Sequence, residues 1–159
     1  MVFTICLMFV MNRRDIEGSV ISAARELGIG IVAYSPLGRG FLSATFSTLD
    51  ELSSSDFRKG RPRFSAENFE HNVQKNFFEY AKKKNCTPAQ LALAWLHAQG
   101  DDIFPIPGTK TAARVEENLG ALDVVLSAQE AKEVGDAVEV AKGERYDEQS
   151  MATTFNSRM

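Results

Sequence analysis

The chain has 159 residues, 44% of them apolar and 25% charged, the makeup of one globular domain able to bury about two thirds of its unfolded surface. A formal net charge of −3 offers no basic field to nucleic acid. Cys6 and Cys86 lie far apart without metal spacing and His71 and His97 stand alone, so no metal centre or disulfide framework is expected, and a reduced compartment, the cytoplasm, is the simplest reading.

Residues 1–11, MVFTICLMFVM, are uniformly apolar, and Arg13 and Arg14 follow them. The run is shorter than the roughly 20 residues that span a bilayer. Its charge sits on the wrong side for a signal peptide. A buried strand, or a poorly fitting replacement for one, is preferred over a targeting segment, and no membrane partner is expected. Asp15 can cap a helix whose apolar face is Ile16, Val20, Ala23, Ala24 and Leu27, and Gly28 closes it. Residues 29–34, IGIVAY, read as a strand buried on both faces. Ser35-Pro36-Leu37-Gly38-Arg39-Gly40 breaks it.

Residues 45–63 are polar and read as a long surface loop, a kind that is usually functional. One helix is expected over 68–84, with Phe69, Val73, Phe77 and Tyr80 along one side. Thr87-Pro88 opens the next helix, in which Leu91, Ala94, Trp95 and Ala98 face inward and Gly100 marks the end. His97 reads as a packed or surface histidine rather than a catalyst. After a last strand and its helix, Ser127 caps a helix with Ala128, Ala131, Val134, Ala137 and Val138 on its buried side. The residues from 143 to 159 carry no period and are expected to form a mobile tail.

The most informative stretch is 103–121, IFPIPGTKTAARVEENLGA. Residues 103–106 form a short apolar run of buried-strand type, and Pro107-Gly108 ends it. Thr109 or Thr111 caps the helix that follows. A strand, a tight turn and a helix N-terminus together aim free N–H groups at one place, where an anion sits readily. Lys110 and Arg114, four apart, reach the same place. Two cations there oppose the helix dipole unless a phosphate lies between them, although a basic pair is also what a solvated helix face looks like. The alternation of helices and strands is that of a parallel α/β architecture. Two strands, or three with the N-terminal run, do not close a sheet.

GIGIVAYSPLGRGFLS, followed about seventy residues later by IPGTKTAARVEENLGAL, closely resembles the aldo-keto reductases, most of all plant enzymes of the auxin-induced or perakine-reductase type. PRFSAENFEHN and TPAQLALAWLHAQG resemble that family too. The resemblance implies an α/β fold that is the C-terminal half of an NADP(H)-dependent (β/α)8 barrel, a fold that needs roughly 250 residues. It divides the chain into a divergent apolar start (1–13), the half-barrel (14–142) and the tail (143–159). A truncated gene, an alternative start or an incomplete gene model would each give such a junction.

On the family pattern, residues 29–34 are strand seven and 103–106 strand eight, and the loops after these strands often hold phosphate. Tyr34 is expected to stack on the nicotinamide, with Ser35, Pro36, Leu37, Gly38 and Gly40 around the pyrophosphate. Thr109, Lys110 and Arg114 are expected at the adenosine 2′-phosphate, which Arg114 can hold bidentately, and Gly108 is expected among the cofactor-binding residues. Glu117 and Asn118 are expected at the adenine edge. The implied reaction reduces a small aldehyde or ketone. The family's Asp, Tyr, Lys and His tetrad belongs to the N-terminal half of the barrel, so no position here inherits a catalytic role. The alternative is a non-catalytic half-barrel that binds NADP(H) or associates with a partner.

Overall fold

The computed structural model describes residues 3–152. They form two compact units. The larger takes the residues up to Thr45 together with Gln74–Val140, and the smaller takes Phe46–Val73 and the residues from Ala141 onward.

In the larger unit, β1 (Thr4–Leu7), β2 (Gly30–Tyr34) and β3 (Ile103–Ile106) make a parallel sheet in the order β1-β2-β3. The helices between and after the strands are α1 (Ser22–Glu26), α3 (Lys75–Lys83), α4 (Pro88–His97), α5 (Ala112–Leu119) and α6 (Ala128–Asp136). Spatial order follows chain order, as it does in a barrel built from βα units. The apolar N-terminal run therefore enters the sheet as its first strand.

The sheet is two-faced. Ile31, Ala33 and Ile103 are buried, beneath α1 on β2 and α4 on β3. The opposite face carries Val32, Tyr34, Phe104 and Ile106, and the last two are each 51% exposed. The strand over 29–34, expected to be buried on both sides, is thus covered on one, because helices pack against only that face.

Around the covered face lies a core that includes Phe9, Met11, Ile21, Ile31, Leu42, Phe77, Leu91, Trp95, Leu96 and Val134. Helix α4 is apolar almost all round, so it is buried on all sides and forms the middle of the unit. Thr87 and Gln90 close a capping box at its start, with Pro88 at the first turn, as the sequence signals. Ala98 lies outside the helix and is exposed. The Trp95 indole N–H donates to the Ala131 carbonyl at 2.9 Å, satisfying the one polar atom of a side chain that is 1% exposed. Ser127 and Glu130 box the start of α6, where Ala131 and Val134 face inward while Ala128 is exposed.

The first helix departs from its expected form. It enters through a π-turn at Glu17–Ile21, with Ile16 rather than Asp15 at the cap position, and Asp15 accepts from Arg13 Nε at 2.9 Å. A π-turn adds a residue to the turn and rotates everything beyond it. Ile21 and Ala24 therefore face the core, while Ala23 is exposed and Leu27 is 73% exposed. Gly28 ends the helix in the left-handed region at φ 65, as expected.

The expected single helix over 68–84 is two, α2 (Ala66–Asn72) and α3, with Val73 extended between them at φ −78, ψ 106. Two buried amides sit at the break. In the smaller unit, Asn72 Nδ2 donates to the Arg63 carbonyl at 2.8 Å and Asn72 Oδ1 accepts from the Lys142 N–H at 2.8 Å. In the larger, Gln74 Oε1 accepts from the Glu139 N–H at 3.0 Å. Buried polar groups need partners, and meeting that need fixes where the helix stops.

The segment expected to be a long loop, 45–63, makes three short turns, Leu49–Glu51, Phe57–Gly60 and Pro62–Phe64. Phe46, Phe64 and Phe69 stack in pairs at 5.7–6.3 Å, with Arg58 over the Phe46 ring at 5.0 Å, which gives the smaller unit its own aromatic core. Residues 143–152, expected to be mobile, belong to this unit. Asp147 caps α7 (Glu148–Met151) by accepting from the Ser150 N–H at 2.9 Å, and pairs with Arg61 Nη1 at 2.6 Å. The rest of the expected tail, 153–159, lies outside the described residues.

Candidate nucleotide site

Two turns leave the same end of adjacent strands, since Tyr34 of β2 lies opposite Ile106 of β3 in a parallel pair. Tyr34 is half-buried on the uncovered face of the sheet. Beyond it the chain coils tightly. The Gly38 N–H donates to the Ser35 carbonyl and the Gly40 N–H to the Leu37 carbonyl, each at 3.0 Å. Pro36 is buried and anchors the turn, while Ser35, Leu37, Gly38 and Gly40 are half-buried.

Four residues of this turn are left-handed: Ser35 (φ 55), Gly38 (φ 59), Arg39 (φ 58) and Gly40 (φ 108). Glycine accepts that conformation without cost, whereas Ser35 and Arg39 are strained by it, a kind of strain that concentrates at functional sites. At Gly38 a Cβ would also come within 3.3 Å of the Asn12 amide nitrogen. Asn12 is 1% exposed, and its Oδ1 is buried without a hydrogen-bond partner. Arg39 and Asn12 are the residues that sequence reading passed over. The first was hidden between two glycines, and the second belongs to a stretch read only for its apolarity.

The second turn follows β3. Thr111 is the N-cap of α5, its Oγ1 accepting from the Arg114 N–H at 3.4 Å. Thr109 supports it, donating through Oγ1 to the Thr111 carbonyl at 3.2 Å. Both threonines proposed as caps thus act at the same helix start, with Thr111 in the capping position. Gly108 is not in the left-handed region, and a Cβ there would meet nothing, so neither conformation nor space demands glycine at that place. Thr109, Lys110 and Arg114 are exposed, and α5 has no buried residue. Glu117 and Asn118 are half-buried.

Thr109 and Asn118 come together at a cleft of about 300 Å³ between α4 and α5, walled by Leu93, His97, Pro105 and Leu119. His97, read from sequence as packed or on the surface, is exposed and lines it. None of residues 34–40 lines this cleft, nor do Lys110, Arg114 or Glu117. The two turns are therefore neighbours by strand register, and the cleft belongs to the second alone.

The end of β3 remote from these turns is pinned to α1. Asp102 accepts from Arg25 Nε at 2.8 Å and from Nη2 at 3.0 Å, and Arg25 Nη2 also donates to the Gln99 carbonyl at 2.6 Å. The Arg25 hydrogen bonds hold the Asp102 carboxyl below its usual range, against a smaller opposing effect of burial. This fork sets the height of β3 beside β2, and with it the level at which the second turn leaves the sheet.

Parallel strands alternating with helices, and two strand-end turns at one end of the sheet, define part of a (β/α)8 barrel with its loops on the C-terminal side. The aldo/keto reductase family model matches residues 2–139, and the chain belongs to that family. The match takes in nearly all of the first thirteen residues, in keeping with the place of β1 in the sheet.

Solved structures share the fold. A glycerol dehydrogenase from Gluconobacter oxydans superposes with a TM-score of 0.75 at 24% identity, over 84% of this chain and 41% of its own. An aldo/keto reductase from Klebsiella pneumoniae, solved in complex with NADP and acetate, gives 0.62 at 22% identity over 91% and 43%. The aldose reductase from Schistosoma japonicum gives 0.60 at 20% identity over 96% and 38%. The chain thus spans about two fifths of the length of the solved relatives it matches. Among the described residues no helix is long and apolar enough to cross a membrane.

Proposed function

We propose that this chain supplies the cofactor-binding part of an NADP(H)-dependent reductase of small aldehydes or ketones. The observation that carries the reading is the pair of turns leaving one end of adjacent parallel strands, one coiled through left-handed residues and the other exposing Lys110 and Arg114 beside a capped helix start. Solved complexes of Klebsiella pneumoniae aldo-keto reductase with NADP and with NADPH support the choice of cofactor. Within the family, the plant auxin-induced or perakine-reductase type is the one we propose, on the likeness carried by SPLGRGFLS and IPGTKTAARVEENLGAL.

The residues present fit the group. Gly38 and Gly40 let the backbone approach a pyrophosphate closely, with Ser35, Pro36 and Leu37 forming the rest of the turn. Tyr34, on the uncovered sheet face, offers its ring to the nicotinamide. Lys110 and Arg114, with Thr109 and the free N–H groups at the start of α5, face the 2′-phosphate. Glu117 and Asn118, one turn on, serve the adenine edge, and Gly108 belongs to the turn that carries Thr109 and Lys110. The cofactor, when bound, supplies the hydride. In the family the proton comes from a tyrosine whose pKa a nearby lysine lowers, and no residue of this chain holds that role. The working compartment we propose is the cytoplasm, with no nucleic-acid or membrane partner.

The test is calorimetric titration of the chain with NADPH and with NADH. Trp95 is unsuited as a reporter, since it is sealed in the core. Saturable binding of NADPH in preference to NADH supports the reading. Equal affinity for the two, or none for either, defeats it.

A further inference from the structure

The smaller unit is built from short pieces. Helix α2 has seven residues and α7 four, and the three turns between residues 49 and 64 have three or four each. Isolated helices shorter than about 12–15 residues are marginal in water. The unit's described residues number about forty, near the size below which a core alone seldom sustains a fold. Its three packed rings, Phe46, Phe64 and Phe69, all lie in the segment 46–73. The contacts of that segment with 141–152 therefore decide whether the unit stays ordered.

Those contacts follow one path. The Asn72 side chain, 0% exposed, holds the backbone of Lys142 by both groups: Oδ1 accepts from its N–H at 2.8 Å and Nδ2 donates to its carbonyl at 3.0 Å. Arg63 Nε donates to the Gly143 carbonyl at 3.1 Å. Farther on, Arg61 pairs with Asp147 and lies 5.1 Å from the centre of the Tyr146 ring. Gly143 marks the closest approach. Its φ is 82, and a Cβ there would stand 2.9 Å from the carbonyl carbon and oxygen of Pro62 and 2.8 Å from Asn68 Nδ2. That amide is itself tied to the Pro62 carbonyl at 2.9 Å. Backbone does not yield as the tip of a side chain does, so a larger residue at 143 lifts the segment that carries it.

We propose that residues 141–152 are a latch, and that 46–73 stays folded only while the latch is seated at Asn72 and Gly143. Lifting it takes both Lys142 bonds from an amide sealed away from water, a loss that is least when the surrounding segment opens too. The two segments thus open and close as one cooperative body, separately from the helices of the larger unit. Whatever binds or cuts 141–152 unfolds 46–73 with it, and bares Phe46, Phe64 and Phe69. The inference is independent of nucleotide binding.

Hydrogen exchange of the full chain, followed by mass spectrometry, tests it. In the unaltered chain the protected amides of 46–73 and 141–152 should exchange at a shared rate, faster than those of α4. Gly143→Ala should raise exchange in both segments by about ten- to a hundredfold and leave α4 unchanged. Gly60→Ala is the control in the same unit, since Gly60 has no positive φ and open space where its Cβ would go; it should change neither segment. If Gly143→Ala does not fold, the shared rate in the unaltered chain decides. Acceleration confined to 141–152, with 46–73 as protected as before, overturns the proposal. So do unlike rates for the two segments in the unaltered chain, or exchange of both in step with α4.

Discussion

At the level of single residues, charge and backbone conformation divide the work at the proposed site. Arg114 and Lys110 are exposed, so any affinity they contribute depends on a bidentate or shared grip on phosphate rather than on burial. Arg114→Ala should weaken NADPH binding by about 1.5–3 kcal/mol, one to two orders of magnitude in Kd, and leave NADH unchanged. Arg114→Lys should recover only part, because an ammonium cannot reproduce the planar fork. Calorimetry with both nucleotides reads each outcome, and an equal loss for NADH would remove Arg114 from the 2′-phosphate. Gly38 acts through shape instead. Gly38→Ala meets both a left-handed backbone and the buried Asn12 amide, and should cost about 1–3 kcal/mol of stability in a denaturant titration. Gly108→Ala meets neither obstacle and should cost far less.

Among the elements, the sheet's unequal faces make a contrast that mutation can read. Ile103→Ala opens a cavity under α4 and should destabilise by about 2–5 kcal/mol. Phe104→Thr, one residue on and facing outward at 51% exposure, should cost about 0.5 kcal/mol or less. A large loss at Phe104 would mean that the open face is covered in solution. The junction of α3 and α6 adds a pH dependence. Glu130 accepts from Lys84 Nζ at 2.8 Å and from the Ser127 N–H at 2.8 Å, and these bonds lower its carboxyl from 4.5 to about 2. A carboxyl depressed in the folded state stabilises above its unfolded pKa and loses that contribution as pH falls toward the folded value. The melting temperature should therefore hold down to pH 4.5 and decline from there to about 2, and Glu130→Gln should flatten that decline when followed by calorimetry.

For the molecule as a whole, what could be read in advance followed the reach of each signal along the chain. Caps at Thr87 and Ser127, the end at Gly28 and strands two and three are written in a few neighbouring residues, and the structure has them. The π-turn at Glu17–Ile21 was hidden because Val20 and Ile21 serve an inward face equally well on paper. The break at Val73 depends on amides whose partners lie some 65 to 70 positions away, and the aromatic unit around Phe46, Phe64 and Phe69 has no period to betray it. The two turns were legible as breaks that end their strands, but the open cleft beside His97 was not, since it arises from how α5 stands off α4. The same separation of near and far bears on activity. Binding residues can sit on two local turns, whereas reduction needs a proton donor held at the far end of the hydride's path. The chain as given should bind NADPH yet oxidise it no faster with an aldehyde present than without. Absorbance at the reduced nicotinamide band, followed with a generic aldehyde and again after adding a fragment that carries the first five βα units of a complete aldo-keto reductase, separates the possibilities. Turnover only with the fragment places the acid on the partner, and clear turnover by the chain alone would show that a residue here, with Tyr34 the first to replace by Phe, does the work of the tetrad.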